Sequence, residues 1–360
     1  MPAALPSPQT AEDRHIGRRG LRAPVDVAIV GATGAVGREM ISCLEKRNFP
    51  AASLRLFASE RSAGRVLPFR GERIVLEPLS DQAFVGLDLV LFAADAEVSR
   101  RFAPGAVRAG AVVIDNSSAF RMDEATPLVV PEVNGARAFG HRGVIANPNC
   151  CAAIAAMALA PLHAAAGLER VIAATYQAAS GAGAKAMDEL RDSTSAYLNG
   201  RPYKPQVLAH PYAFNLFSHD SAVDPQTGDN GEETKIRQEL QKLLEAPDLR
   251  VGVTCVRVPV LRAHSIALTL ELARAMTPEE ALAVLRRAPG VRVVHDPAAN
   301  RFPMPQDAAG RDEVLVGRVR RDPGGPSGRS LALFVAGDQL LKGAALNAIQ
   351  IAEQLLAGTV

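Results

Sequence analysis

The run VDVAIV, Val25 to Val30, passes directly into GATGAVG and then into REMISCLEKRN. No other stretch limits the fold as much. A short apolar run with β-branched residues, ended by glycine, predicts a strand buried on both faces, as in a parallel sheet. REMISCLEKRN has helical spacing. Between them Gly31, Gly34 and Gly37 read G-x-x-G-x-x-G, where the strict dinucleotide fingerprint is G-x-G-x-x-G. The physical needs survive the change. A tight turn needs glycine, a phosphate needs close backbone approach, and the following helix N-terminus offers N–H groups and a positive dipole. A purely structural strand-to-helix turn would use the same glycines, so the loop is a candidate nucleotide site.

Three further strand-like runs follow, SLRLFAS (Ser53 to Ser59), DLVLFAA (Asp88 to Ala94) and AVVIDNS (Ala111 to Ser117), with helical or loop segments between them. Strand and helix in alternation predict a parallel sheet with helices on its faces. After Cys151 the rhythm changes. VIAATYQAA (Val171 to Ala179), VGVTCVRVPVL (Val251 to Leu261) and HSIALTLEL (His264 to Leu272) are longer and widely spaced, as in an antiparallel or mixed sheet of a second domain. HDSAVDPQTGDNG (His219 to Gly231) reads as a polar loop and DPGGPSGR as a turn before a last strand, SLALFVAG. From about Gln339 the spacing is helical, which suits a terminal helix returning to the first domain.

The 360 residues suffice for one large or two ordinary domains, and no internal repeat is present. A net charge of +2 disfavours nucleic acid or an anionic membrane as partner. No apolar run has the length of a membrane span. Cys43, Cys150, Cys151 and Cys255 show no metal-ligand spacing, so no metal is expected, and a reducing compartment fits best. Residues 1–24 are rich in proline and arginine without periodicity. They read as a disordered leader; a secretory signal is excluded for want of an apolar core, and Glu12 and Asp13 argue against a transit peptide.

Three places carry candidate chemistry. In NPNCC, Asn147, Pro148 and Asn149 are turn and cap residues, so Cys150 or Cys151 opens a helix. A helix N-terminus depresses a thiol pKa and makes a nucleophile available; two small buried cysteines are the plain alternative, and a disulfide between neighbours would be strained. His264 begins a strand on the side of Ile266, Leu268 and Leu270, and Arg257 lies on the side of Val251, Val253 and Cys255. An arginine among apolar neighbours requires an anion, either a buried carboxylate or the carboxylate of a substrate. After the second strand come Glu60, Arg61 and Ser62. Arg61 and Ser62 suit the 2′-phosphate of NADP, provided that Glu60 points outward.

GATGAVG, DNSSAFR, VVPEVN, NPNCC, TYQAASGAG, TCVRVPVLRAHS and GDQLLKGAALNAIQ occur in that order. From Val25 onward the chain resembles the aspartate-β-semialdehyde dehydrogenase family. That resemblance implies an α/β fold: a Rossmann-type NADP-binding domain over 25–150, completed by a C-terminal helix over 338–360, and an α+β catalytic and dimerisation domain over 151–337. It implies NADPH-dependent reduction of L-aspartyl 4-phosphate to L-aspartate 4-semialdehyde, with release of phosphate, in lysine, methionine, threonine and isoleucine synthesis. Cys150 matches the nucleophile and Cys151 a packing position. His264 matches the acid–base histidine, Gln177 and Arg257 the substrate pair, and Glu232 the acid that meets the substrate amino group. Arg121 and Lys235 match the phosphate-site cations, with Asn149 beside them. On spacing alone, Glu232 and Lys235 would be a surface helix pair. Gly31, Thr33, Gly34, Ala35, Val36, Gly37, Arg61, Ser62, Ser180, Gly181 and Gln339 match cofactor positions, while Asp95 and Ala96 stand where relatives are often glycine-rich. The implied partners are the small-molecule substrate, phosphate and further copies of the chain, as a homodimer or dimer of dimers, in the cytoplasm, or in a plastid if the leader is a transit peptide. An N-acetyl-glutamyl-phosphate reductase shares the thioester logic but usually reads N-P-G-C-Y. A glyceraldehyde-3-phosphate dehydrogenase would show S-C-T-T-N-C. An inactive nucleotide-binding relative would typically lack the nucleophile.

Overall fold

The structure is a computed structural model describing residues 20–358, so the predicted leader falls mostly outside the described residues. These divide into two units, one running to Pro148 and resuming at Ala344, the other spanning Asn149–Gly343.

The first unit runs β1 (Val25–Val30), α1 (Ala35–Lys46), β2 (Ala51–Ala58), β3 (Val66–Phe69), β4 (Glu72–Pro78), β5 (Leu89–Phe92), α2 (Ala96–Arg108), β6 (Val112–Asp115), the short α3 (Pro131–Asn134) and β7 (Val144–Ala146). Among the described residues the sheet order is β3-β4-β2-β1-β5-β6-β7. The pairs β1–β2, β1–β5, β2–β4, β5–β6 and β6–β7 are parallel, and only β3 runs antiparallel to its neighbour. β5 and β6 are buried at every position, as central parallel strands must be. The expected strands are thus present but differ at their ends: β2 starts two residues early, and β5 and β6 are trimmed on both sides.

The β3–β4 hairpin was not read from the sequence. Phe69 pairs with Glu72, so Arg70 and Gly71 form a two-residue turn, and both have positive φ, 50° and 81°. Such a turn usually announces itself as Asn-Gly or Asp-Gly. Here arginine occupies the first position, and Pro68 further disguises the strand.

The second unit contains α4 (Cys150–Ala166), β8 (Leu168–Gln177), α5 (Ala184–Leu198), β9 (Phe217–Ser218), α6 (Gly231–Leu243), β10 (Arg250–Arg257), β11 (His264–Leu272), α7 (Pro278–Arg287), β12 (Val291–Val293), the short α8 (Pro305–Ala308), β13 (Val314–Arg321) and β14 (Ser330–Gly337). Its mixed sheet is ordered β12-β13-β14-β11-β8-β10-β9 among the described residues. The run expected as a strand to Leu261 stops at Arg257, because Pro259 cannot donate to a ladder. The freed segment bonds elsewhere: Ala179 N–H donates to Val260 O and Ser180 N–H to Leu261 O.

α4 has no polar face. Residues from Cys151 through Leu159 are all buried, so the helix is a core element and not a surface amphipath. It packs against α6 and α7 and under β8, β11, β13 and β14. β8 also leaves Ile172 and Tyr176 about two-fifths exposed on one side of the sheet. The chain then returns to the first unit through a wide helical turn, Leu341–Ala345, and α9 (Leu346–Ala357), which packs on α1 with Arg47 paired to Glu353 at 2.7 Å. The expected single helix from Gln339 is thus shorter, and its first part is π-helical.

Candidate active site

Sheet register assembles the site in the second unit. β10 and β8 run parallel with Arg257 opposite Gln177. β11 runs antiparallel to β8 and β14, so its first residue, His264, lies at the same sheet edge, opposite Gly337. Gln177, Arg257, His264 and the Gly337-Asp338-Gln339 end of β14 therefore share one row. Ala263, with φ of +73°, makes the left-handed turn that starts β11 there.

Cys150 is the first residue of α4, and Asn149 is its cap. The Asn149 Oδ1 accepts the N–H groups of Cys151 at 2.9 Å and Ala152 at 3.2 Å, and its carbonyl accepts that of Ala153. The cap and the first helical bond thus occupy the N–H groups of Cys151, Ala152 and Ala153. Gly343 packs directly on Cys150, since a Cβ there would lie 2.8 Å from the Cys150 Cβ. A hydrogen bond from the Cys151 thiol, and after it the neighbouring His264 ring, hold Cys150 well below the usual thiol range despite its burial. Cys151 moves the other way. Burial, and then its bond to Cys150, push its thiol well above the usual range. Of the two thiols, only that of Cys150 is shifted toward its anion.

The Cys150 and Cys151 sulfurs and a His264 ring nitrogen lie within 4.8 Å of one another, a cluster that sequence spacing does not reveal. Yet the His264 Nδ1 accepts the Ala178 N–H at 2.9 Å. The neutral ring then carries its proton on Nε2, so it offers the cluster a donor and not the lone pair a metal needs.

Glu232 is the hub of a buried polar network. It is 6% exposed, so it is not half of a surface pair, although Lys235, far more exposed, does lie 3.8 Å from it. Its Oε1 accepts the Asn149 amide at 2.8 Å and the Gln177 amide at 3.2 Å, and Thr175 Oγ1 donates to Gln177 Oε1 at 3.1 Å. Burial pushes the Glu232 carboxyl up, but His219, the two amides and Lys235 outweigh it and hold it below the usual range. Glu239, two turns further along α6, accepts the Asn149 N–H. α6 can aim both carboxylates inward because its start is fixed by a capping box of Asn230 and Glu233.

Arg257 is 4% exposed and has the anion that its setting requires: Nε and Nη2 both meet Asp220 Oδ1 at 2.9 Å. Its Nη1 is buried without a partner, as is the His264 Nε2. Both atoms face Gly181. A Cβ at that position would lie 2.9 Å from Nε2 and 3.2 Å from Nη1. Only a glycine can pack this closely on two unpaired donors, which an oxygen-bearing ligand would satisfy. Ser180, beside it, receives the Gln339 amide, whose Oε1 accepts the Ala263 N–H at 2.9 Å. Gln339 is therefore occupied in holding Ser180 and the turn before His264.

The remaining sequence candidates lie in the first unit. Gly31 has φ of +84°, and a Cβ on it would meet the Ala93 carbonyl at 2.5 Å, so the turn after β1 admits only glycine. Gly34 caps α1 with no side chain, leaving the loop Thr33, Gly34, Ala35 and Val36 and the α1 N–H groups to an outside anion; Gly37 packs where a Cβ would be 2.4 Å from the Gly31 carbonyl. These residues fit a dinucleotide pyrophosphate. At α2 the corresponding N–H groups of Glu97 and Val98 are taken by Asp95, so Asp95 acts as a helix cap. At the end of β2, Glu60 and Arg61 are exposed and Ser62 is buried. Arg121 is buried and donates to Asn147 O at 2.9 Å and Asn116 O at 2.7 Å, bracing the strand end that leads into Cys150.

Asp220, Glu239, Thr175 and the Ala178 N–H were absent from the sequence reading. Only the inference that Arg257 needs an anion pointed toward any of them.

Two family models match the chain: "Semialdehyde dehydrogenase, NAD binding domain" over residues 26–140 and "Semialdehyde dehydrogenase, dimerisation domain" over 159–342. An aspartate-semialdehyde dehydrogenase from Synechocystis is 50% identical over 335 residues, covering 92% of this chain and 98% of its own. One from Bacillus subtilis is 45% identical over 340 residues, covering 91% and 96%. Among solved structures, aspartate semialdehyde dehydrogenase II from Vibrio cholerae, complexed with ASA, superposes with a TM-score of 0.89 at 40% identity, covering 92% of this chain and 98% of that one. The Candida albicans enzyme with NADP gives 0.71 at 25% identity, covering 93% and 99%.

Proposed function

The chain belongs to the aspartate-semialdehyde dehydrogenase family, and on that premise we propose how its residues divide the reduction of L-aspartyl 4-phosphate to L-aspartate 4-semialdehyde and phosphate. The observation that carries the reading is the pair of buried, unpartnered donors, Arg257 Nη1 and His264 Nε2, converging over Gly181, with a His264 ring nitrogen within 4.8 Å of the Cys150 sulfur.

The Cys150 thiolate attacks the acyl carbon. The carbon–oxygen bond to phosphate breaks, phosphate leaves with its electron pair, and a thioester remains on Cys150. Lys235 and Arg121 are the cations assigned to that phosphate. The glycine loop of Gly31, Thr33, Gly34, Ala35 and Val36 would hold the pyrophosphate of NADPH, which when bound would supply the hydride. His264 holds a proton at Nε2, bonds whichever anion forms beside the sulfur, and passes to the departing phosphate the one proton that the reaction takes from solvent, regaining it from water in the same exchange. Collapse of the thiohemiacetal returns Cys150 as thiolate, the form its surroundings favour. Arg257 takes the substrate α-carboxylate, Glu232 the α-amino group, and Gln177 the reacting carbonyl. The dimerisation domain and the exposed Ile172 and Tyr176 of β8 support a homodimer formed through the second unit. A dimer of dimers would need a further surface. Four free cysteines fit a reducing cytoplasm. The acetyl-glutamyl-phosphate reductase reading and the inactive-relative reading are not favoured by relatives of this identity and coverage.

The test is phosphate-dependent reduction of NADP with aspartate semialdehyde. Turnover that ignores phosphate, or is faster with an acetylated glutamate semialdehyde, would refute the reading. Cofactor choice is a second expected result. The exposed Arg61 after β2 suits a 2′-phosphate, and Glu60 is itself exposed and free to point away. Loss of one charge-assisted bond costs about tenfold or more in preference. In Arg61→Ala, kcat/KM for NADP should fall by about that factor while the value for NAD stays put. A wild-type enzyme that uses NAD as well as NADP would assign the ribose to Glu60.

A further inference from the structure

We propose that Asp220 is the positioning residue for recognition of the substrate α-carboxylate, setting the angle at which Arg257 presents its free edge; the inference rests on the reading of Arg257 given above. Asp220 lies in the polar stretch after β9, and the three residues before it are tied to the sheet. Phe217 and Ser218 pair with Arg257 and Val256, and the His219 N–H donates to Cys255 O at 2.9 Å. One carboxylate oxygen, Oδ1, receives both Nε and Nη2 of Arg257 at 2.9 Å. A guanidinium is planar and rigid, so fixing Nε and Nη2 also fixes Nη1. Nη1 is the atom left buried and unpartnered beside Gly181.

The same stretch is tied to the group assigned to the amine. Ser221 Oγ accepts the Glu232 N–H at 3.1 Å and donates to Asn230 Oδ1, the cap of α6. His219-Asp220-Ser221 thus connects Arg257 to the start of the helix that bears Glu232. Three adjacent residues set the spacing between the carboxylate-reading and amine-reading groups. Asp220 is about one-third exposed and need not touch the substrate. Its effect passes through the guanidinium.

The test compares two substrates in wild type and in the isosteric Asp220→Asn. With aspartate semialdehyde, kcat/KM should fall about ten- to hundredfold, chiefly through KM, as expected when a binding group is left misaligned. With 3-aminopropanal, which lacks the α-carboxylate, both proteins should turn over alike at their lower common rate. Asp220→Glu, which keeps the charge, should recover part of the loss. Wild-type KM in Asp220→Asn would overturn the proposal, and so would an equal loss on both substrates, the mark of a merely structural role. Should Asp220→Asn fail to fold, Asp220→Glu decides alone: a KM increase confined to aspartate semialdehyde supports the proposal and its absence refutes it. Arg257→Lys on the same two substrates tests the underlying reading separately: a loss confined to aspartate semialdehyde there, without one in Asp220→Asn, would sink the role of Asp220 alone.

Discussion

Cys150→Ser should abolish turnover, with a loss on the order of 10⁴-fold or more, while NADP binding and the thermal transition stay as in wild type. Serine keeps the geometry at the start of α4 and removes the one group held as an anion there. Cys151→Ser should keep most of the activity, because serine can still donate to the Cys150 thiolate. The pH dependence follows from the sign of the shift. Cys150 is held below the usual thiol range, so its thiolate is present above that lowered value and is lost as pH falls through it. Alkylation by iodoacetamide should therefore retain its rate at pH values where a free cysteine has become protonated and slow. Cys151 is pushed well above the usual range and Cys255 up to about 12, both by burial first, so neither should react in that window. Mass spectrometry of the trapped acyl-enzyme reads the same point directly. An adduct on Cys151, or an alkylation midpoint at the free-cysteine value, would defeat the assignment.

Arg257→Lys is the second large effect. Lysine keeps the charge but replaces a planar fork with a single ammonium. It cannot both satisfy Asp220 and reach the position beside Gly181 that Nη1 now holds. Disrupting a buried, hydrogen-bonded charge pair costs about 2–5 kcal/mol, so kcat/KM for aspartate semialdehyde should fall on the order of 10²-fold or more. KM should carry most of the loss and kcat some of it, since a carboxylate held off-axis also misplaces the reacting carbon. NADP affinity should not change. Unaltered steady-state constants in Arg257→Lys would make the arginine structural, with Asp220 as its sufficient partner.

The difference between what was legible and what was not follows chain distance. The strand–glycine–helix start, the cap before Cys150 and the apolar runs of β8, β10 and β11 are local patterns. Gly31 illustrates why they can be read: its positive φ and its contact with Ala93 permit only one residue, so the requirement is written in the sequence itself. Arg257 was half legible. Its apolar neighbours imply a buried anion, but which of 38 acidic residues supplies it is not a property of the local sequence. Glu232 was misjudged on spacing alone, since Glu and Lys three apart on a helix look solvated. Its burial depends on α6 packing against α4, a contact between elements far apart in the chain.

By itself, then, the sequence determined the kinds of element and, through its resemblance, the family and its reaction, and it nominated Cys150 as the nucleophile. A capping asparagine, a glycine turn and a strand period act over a few residues, and hydrogen bonds with short loops enforce them at once. Tertiary structure alone decided the rest. β10 beside β8 and β11 reversed against both bring Gln177, Arg257 and His264 into one row. The Ala178 N–H selects the His264 tautomer, and Asp220 fixes the guanidinium. The physical reason is that burial removes water as the default partner. Each polar atom must then find its partner in whatever the register places opposite, and register belongs to the whole sheet and to no single strand within it.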